Sequence, residues 1–213
     1  MPAPGMHQNA DMTNIEGYDR FTINQKITMM VNRYEIRSVD AEGAEGPVIA
    51  MAQQKRMAFK EQVTFYADEA RTQPVFGFKA RQRMDLGATY DVTDATGTPI
   101  GTFRKEFRKS LLRSTWQLTA ADGLQATGTE RNQSVAIARR LWEVVPFISD
   151  LPSPFLFHFD FTTPDGLIVL SSVRRRSLRD RYNVELPTSP SGSRLDWRVG
   201  AAMAVALDAL QSR

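Results

Sequence analysis

The side chains whose types and spacing could do chemistry in this chain are mostly cationic. Lys79, Arg81 and Arg83 alternate along one extended segment, so they share a face opposite Phe76, Phe78 and Ala80. Arg104, Lys105, Arg108, Lys109 and Arg113 follow closely, with only Glu106 against them. Arg174, Arg175, Arg176, Arg179 and Arg181 form a third cluster, which includes Asp180. Set side by side, such clusters would make a groove for phosphates. Near an anionic membrane each basic residue contributes about 1 kcal/mol. An outer sheet face that is simply polar, with lysine and arginine guarding its edges, would use the same residues.

Other chemistry is thin. His158 and Asp160 lie two apart on one strand face, but a metal wants three or four ligands. With no cysteine, the chain has no disulfide, zinc-thiolate site or cysteine nucleophile. The stretch Asp91 to Gly97 departs from a calcium loop, because Gly97 falls one place late and Thr102 stands where a glutamate is needed. Asp94-Ala95-Thr96-Gly97 reads more simply as a hairpin turn. Glycine-rich phosphate loops, nucleophile elbows and HExxH spacings do not occur. The expectation is therefore no catalytic residue, no metal and no cofactor. Single-stranded nucleic acid would need aromatics between the cations. Here the aromatics fall on the opposite positions, so nucleic acid is disfavoured.

The elements that must position these residues come in repeats. Residues 21–43, 48–70, 75–97 and 100–123 line up, with a fainter copy from Leu167 to Leu186. Each opens with an apolar alternating strand, passes through a cationic middle and continues into a second strand. The second strands carry apolar pairs two apart: Tyr34/Ile36, Val63/Phe65, Tyr90/Val92, Trp116/Leu118 and Tyr182/Val184. Three of the first four copies end in an acidic–glycine turn, whereas the second has Asp68-Glu69-Ala70.

The last stretch is different. From Val199 to Leu207 no side chain carries a charge, alanine dominates and no proline intervenes, so a helix over 195–211 is expected. It is apolar on nearly all sides and hence buried. It is also too short to span a bilayer, which takes about 20 apolar residues. Trp197, Val199, Met203, Leu207 and Leu210 are its expected core residues. Asp196 can cap its start; Asp208 sits near its C-terminal end, where the dipole disfavours a carboxylate. A wall-borne arginine or open solvent could offset that.

Ten or more strands cannot all bury one face unless they curl. A barrel of that size is too wide for its own side chains to fill, and a helix would fill it. Each large side chain so buried would contribute roughly 1.5–3 kcal/mol. The predicted fold is thus mainly β: a closed antiparallel barrel of about twelve strands around a hydrophobic C-terminal helix. It spans 18–213 as one domain, after a disordered leader at 1–17. Asn132 to Val145 reads as a short amphipathic surface helix. Phe155 to Phe161 alternates with four phenylalanines on one face, and Thr188 to Ser193 is a linker.

The segments KARQRMDLGATYDVTDATGTPIG (79–101), KSLLRSTW (109–116) and the terminal DWRVGAAMAVALDAL resemble the LURP-one-related family. That family shares a superfamily with tubby C-terminal domains and phospholipid scramblases. The resemblance implies a twelve-stranded barrel threaded by its last helix. Tubby domains bind phosphoinositides through cationic side chains. With the cationic clusters and the lack of catalytic motifs, the expectation is a non-enzymatic binding module for anionic phospholipid or phosphoinositide head groups. Two scramblase features are missing: the acidic calcium segment before the last helix, here Ser189 to Arg194, and the cysteine-rich lipidation site. The expected partner is an anionic membrane surface or phosphorylated ligand. A protein-interaction scaffold is the alternative and a hydrolase a distant third. Without an early apolar run or a spanning segment, the expected location is the cytoplasm, at a membrane periphery. The two halves differ mildly in charge: residues 1–100 hold 11 basic and 13 acidic side chains, and residues 101–213 hold 16 and 11.

Overall fold

A computed structural model describes residues 17–27, 31–55, 62–82, 87–106, 115–131, 158–175 and 181–211. Its strands are β1 (Arg20–Ile27), β2 (Val31–Val39), β3 (Glu45–Lys55), β4 (Gln62–Tyr66), β5 (Pro74–Ala80) and β6 (Thr89–Asp94). They continue as β7 (Pro99–Glu106), β8 (Thr115–Ala120), β9 (Gln125–Glu130), β10 (His158–Thr162), β11 (Ile168–Arg175) and β12 (Arg181–Glu185). Each pairs antiparallel with its sequence neighbour, and β12 returns to β1 to close a twelve-stranded barrel. Closure leaves no exposed sheet edge.

The period-two pattern fixes which face looks in. Every apolar pair marked in the sequence is buried: Tyr34/Ile36, Val63/Phe65, Tyr90/Val92, Trp116/Leu118 and Tyr182/Val184. Phe159 and Phe161 of β10 join them, while Phe155 and Phe157 lie outside the described residues, as does the helix expected over 132–145.

Among the described residues the one helix, α1 (Trp197–Gln211), runs up the barrel axis. It starts two residues later than expected, because Asp196 is its cap: Oδ1 accepts from the Arg198 amide at 2.8 Å, and the Arg198 guanidinium closes over the carboxylate at 2.6 Å. Val199, Met203 and Leu207 are buried, Met203 completely. Trp197 plugs the entry, edge-on to Tyr18, Phe21 and Phe76. The side chain of Leu210 is outside the described residues. The wall makes room for the helix at Gly101, where a Cβ would stand 3.1 Å from both Val199 methyls. On the slim helix face, a Cβ at Gly200 would stand 2.9 Å from Leu186. The small residue there leaves room for the Leu186 side chain of the wall.

The hairpin turns share one device. At Gly43, Gly97, Gly123 and Gly166 a left-handed residue closes the turn, and in the first three an acidic side chain accepts from backbone amides. The second repeat lacks glycine because its turn is longer, and Arg71 takes the left-handed position at φ 59°. Asp94 accepts from the Thr96 and Thr98 amides at 2.9 and 3.0 Å, so the faint calcium-like segment is a turn.

On the outer wall Glu35 is nearly enclosed among Lys26, Arg33 and Arg37, at 2.8, 3.1 and 3.7 Å. Burial pushes its carboxyl up. The Lys26 hydrogen bond and the three positive charges outweigh burial and hold the carboxyl below the usual glutamate range. A carboxyl held low adds stability above its unfolded pKa and loses it as pH falls through the folded one. Stability should therefore decline on acidification below about pH 4.5, the ordinary glutamate value. Glu35→Gln should flatten part of that decline, as read from urea midpoints across a pH series.

Candidate functional site

Strand direction sorts the connections into two groups. Odd-numbered strands finish at the end of the barrel where α1 terminates, and even-numbered strands begin there. The connections 28–30, 56–61, 81–88, 107–114, 131–157 and 176–180 therefore all join strands at that end. The turns 40–44, 67–73, 95–98, 121–124 and 163–167, with the segment 186–196 that leads into α1, join strands at the other. The first group holds twelve basic and five acidic residues, and the second two basic and seven acidic. The sequence that connects strands where α1 ends is thus net basic, and the sequence that connects them where α1 begins is net acidic.

This follows from the repeat itself. One repeat is one up–down pair of strands, so every cationic middle falls at one end and every acidic turn at the other. The three expected clusters accordingly reach the same rim: Lys79 and Arg81 where β5 ends, Arg104 and Lys105 on β7, Arg174 and Arg175 on β11, Arg181 at the start of β12. Arg83, Arg108, Lys109, Arg113, Arg176 and Arg179 lie outside the described residues, in connections that join strands at this end.

The rim is a ring, not the groove that neighbouring units would make. In the closed order β5 and β11 stand six strands apart, on opposite sides, and β6 separates β5 from β7. Three further details differ from the sequence reading. Strand β5 stops at Ala80, so Arg81 is not on the shared strand face; its guanidinium grips Asp91 across the hairpin, with nitrogens at 2.8 and 3.0 Å. Lys105 pairs in register with the buried Trp116, its ammonium 5.8 Å from the ring centroid, whereas Arg104 is exposed on the outer side. Arg174 pairs with Tyr182 on the inner side, while Arg175 and Arg181 sit opposite one another on the outer side. Alternation along a strand divides a run of adjacent cations between two faces.

Charge compensation separates the rim cations. Arg81 pairs with Asp91, Arg104 lies 3.5 Å from Glu106, and Arg181 meets Glu45 at 2.8 Å. Arg131, absent from the sequence-based clusters, takes both oxygens of Asp160 at 2.6 Å and donates to Ser171 at 3.1 Å. Burial raises the Asp160 carboxyl, but these bonds and the Arg131 charge bring it below its usual range. Asp160 is therefore committed to Arg131, with His158 on the same strand face adding a smaller electrostatic pull. Among the described residues, neither Lys79 nor Arg175 has a carboxylate partner. Lys79 also borders a shallow outer groove of about 540 Å³ over Gly77, flanked by Gln62, Thr64 and Thr93. Among the described residues no group of three metal-ligating side chains occurs.

Just inside the same rim the helix ends in a polar knot. Tyr182 donates its hydroxyl to Asp208 Oδ1, and Tyr34 donates to Oδ2 at 3.0 Å while accepting from Gln25 Nε2 at 3.0 Å. Wall tyrosines thus hold both oxygens of Asp208, where sequence suggested an arginine or solvent. Two phenols answer both the burial of the carboxylate and its unfavourable place on the helix dipole. Hydrogen bonds to charged groups contribute about 1.5–3 kcal/mol each. Tyr182→Phe should lower unfolding free energy by an amount in that range, measured in urea at neutral pH.

With barrel, axial helix and repeat in place, the class is a helix-plugged antiparallel barrel. The LURP-one-related family model matches residues 48–208, about three quarters of the chain, and the chain belongs to that family. No curated protein matches the chain. Among the described residues no helix is long and apolar enough to cross a membrane.

Proposed function

We propose that this protein is a non-enzymatic binding module that sets the basic end of its barrel against an anionic membrane surface. The observation that supports the reading is strand direction: the described members of all three cationic clusters lie where strands meet at one end, and the acidic turns lie at the other. A ring suits a flat, extended anionic surface better than a small phosphorylated ligand, which needs its cations on one side. Several cations at about 1 kcal/mol each are enough for reversible docking at moderate salt. The negative far end is repelled by the same surface, so one orientation is favoured.

The test is cosedimentation with vesicles. At low salt the protein should pellet with phosphatidylserine- or phosphoinositide-containing vesicles and stay in solution with phosphatidylcholine alone. Binding should weaken as salt shortens the screening length to roughly 8 Å at physiological strength. Equal partition to both vesicle types, or none to either, overturns the reading. Binding of a soluble inositol phosphate as tight as that of the vesicle would instead favour a small ligand, for which the groove beside Lys79 is the candidate.

A further inference from the structure

The end of the barrel opposite the basic rim holds a cleft of about 660 Å³, within the size range of small-ligand sites. Its apolar part forms where the chain enters α1. Trp197 and Tyr18 meet edge-on there, with ring centroids 5.3 Å apart, and Ile100 and Leu195 line the cleft with them. Its polar part is the β8–β9 turn. The Ala121 amide donates to the Ile100 carbonyl at 3.0 Å and the Gly123 amide to the Ala120 carbonyl at 3.1 Å, which fixes Asp122 in the cleft lining. Asp122 Oδ1 accepts from the Leu124 amide at 3.0 Å, an exposed bond within the turn. Among the described residues no cation answers the Asp122 charge.

The two arginines nearby are engaged. Arg198 holds both oxygens of Asp196, at 2.6 and 3.1 Å, and Arg194, which also lines the cleft, has a partner of its own. An aromatic pair beside an uncompensated carboxylate is the chemistry that recognises an organic cation. The ring quadrupole attracts the positive charge, the carboxylate pairs with it, and the apolar wall takes its alkyl stem. An anionic ligand would meet the carboxylates of Asp122 and Asp196 in the same lining. We infer that this cleft binds an organic cation, an alkylammonium or alkylguanidinium group carried by a small molecule or by the side chain of a peptide. The site lies away from the proposed membrane face and does not rest on that reading.

The probe is butylguanidinium, titrated into the full chain and followed by amide NMR shifts, with butylurea as the uncharged analogue of similar shape. Shifts should map to residues 120–122 and 192–197, and butylguanidinium should bind roughly tenfold more tightly than butylurea. Asp122→Asn keeps an acceptor for the Leu124 amide but removes the charge, and should weaken butylguanidinium binding about fivefold. Tyr18→Leu keeps apolar bulk but removes the ring, and should cost a similar factor. Asp40→Asn, on a different acidic turn, should change nothing. A blocked Gly-Arg-Gly peptide separates the two sources: tighter binding than butylguanidinium supports the site and assigns the cation to a protein partner, and equal or weaker binding supports it with a small amine. If circular dichroism shows Tyr18→Leu to be unfolded, Asp122→Asn and the butylurea comparison decide. Equal affinity for butylurea, shifts confined to other parts of the barrel, or equal losses from Asp40→Asn and Asp122→Asn overturn the site. None of these outcomes bears on vesicle binding by the basic rim.

Discussion

Truncating Met203 to alanine is expected to lower the unfolding free energy by about 2–5 kcal/mol, the range for emptying a well-packed core site. Met203 is fully buried midway along α1, between the Trp197 plug and the Asp208 knot. The wall cannot collapse onto the vacancy, because each strand is locked to two neighbours around a closed ring. The void should stay open and the cost should lie in the upper part of the range. A chain of this size holds about 5–15 kcal/mol in total, so one truncation would consume much of it. Urea denaturation should show a lower midpoint with an unchanged slope. A loss within about 0.5 kcal/mol, the size expected of surface changes, would place this side chain outside the core.

The second large effect concerns binding. Removing the charges of Lys79, Arg104 and Arg175 by alanine substitution should weaken association with anionic vesicles by roughly 100-fold, at about 1 kcal/mol each. All three are exposed at the basic rim. Two have no carboxylate partner among the described residues, and Arg104 makes the 3.5 Å approach to Glu106 and an exposed hydrogen bond to Gln117 at 2.9 Å. The triple variant should therefore keep its stability, because little is unpaired by the change. The matching control is Asp40, Asp122 and Asp165 on the acidic turns. Neutralising those three should leave binding unchanged or strengthen it slightly. If the two triples behaved alike, net charge would be acting, not its placement. Reversing the charges of Arg174, Arg175 and Arg176 would be a stronger version, but Arg174 lies on the inner side and its reversal would disturb the barrel interior as well.

The fold was legible because its signals are periodic and local. A strand that buries one face reads as apolar pairs two apart, and all five such pairs stand inside the barrel. A helix enclosed by a wall reads as apolar all round, as residues 199–207 do. What the periodicity could not supply was register between strands. Without it Arg174 and Arg175 looked like one patch, although β12 pairs them with Tyr182 and Arg181 on opposite sides. Nor could it supply contacts such as Tyr34 with Asp208, 174 residues apart in sequence. Arg131 escaped notice because its partner, Asp160, lies beyond the long β9–β10 connection. One feature of the site was present in the sequence all along. A repeat whose length is one up–down strand pair must return each of its parts to the same end of a closed barrel. The cationic middles and acidic–glycine turns therefore forecast the axial charge. The side-by-side groove expected from sequence would need neighbouring clusters, whereas β5 and β11 stand on opposite sides of the closed order.

Hydrogen exchange with and without phosphatidylserine vesicles tests the oriented docking most directly. Amides at the basic rim, in residues 26–33, 79–89, 104–115 and 174–182, should gain protection when vesicles are added. Those in the turns 40–44, 95–98, 121–124 and 163–167 should exchange at unchanged rates. Protection at the acidic turns, or equal protection at both ends, would contradict a barrel that meets the membrane by its basic rim.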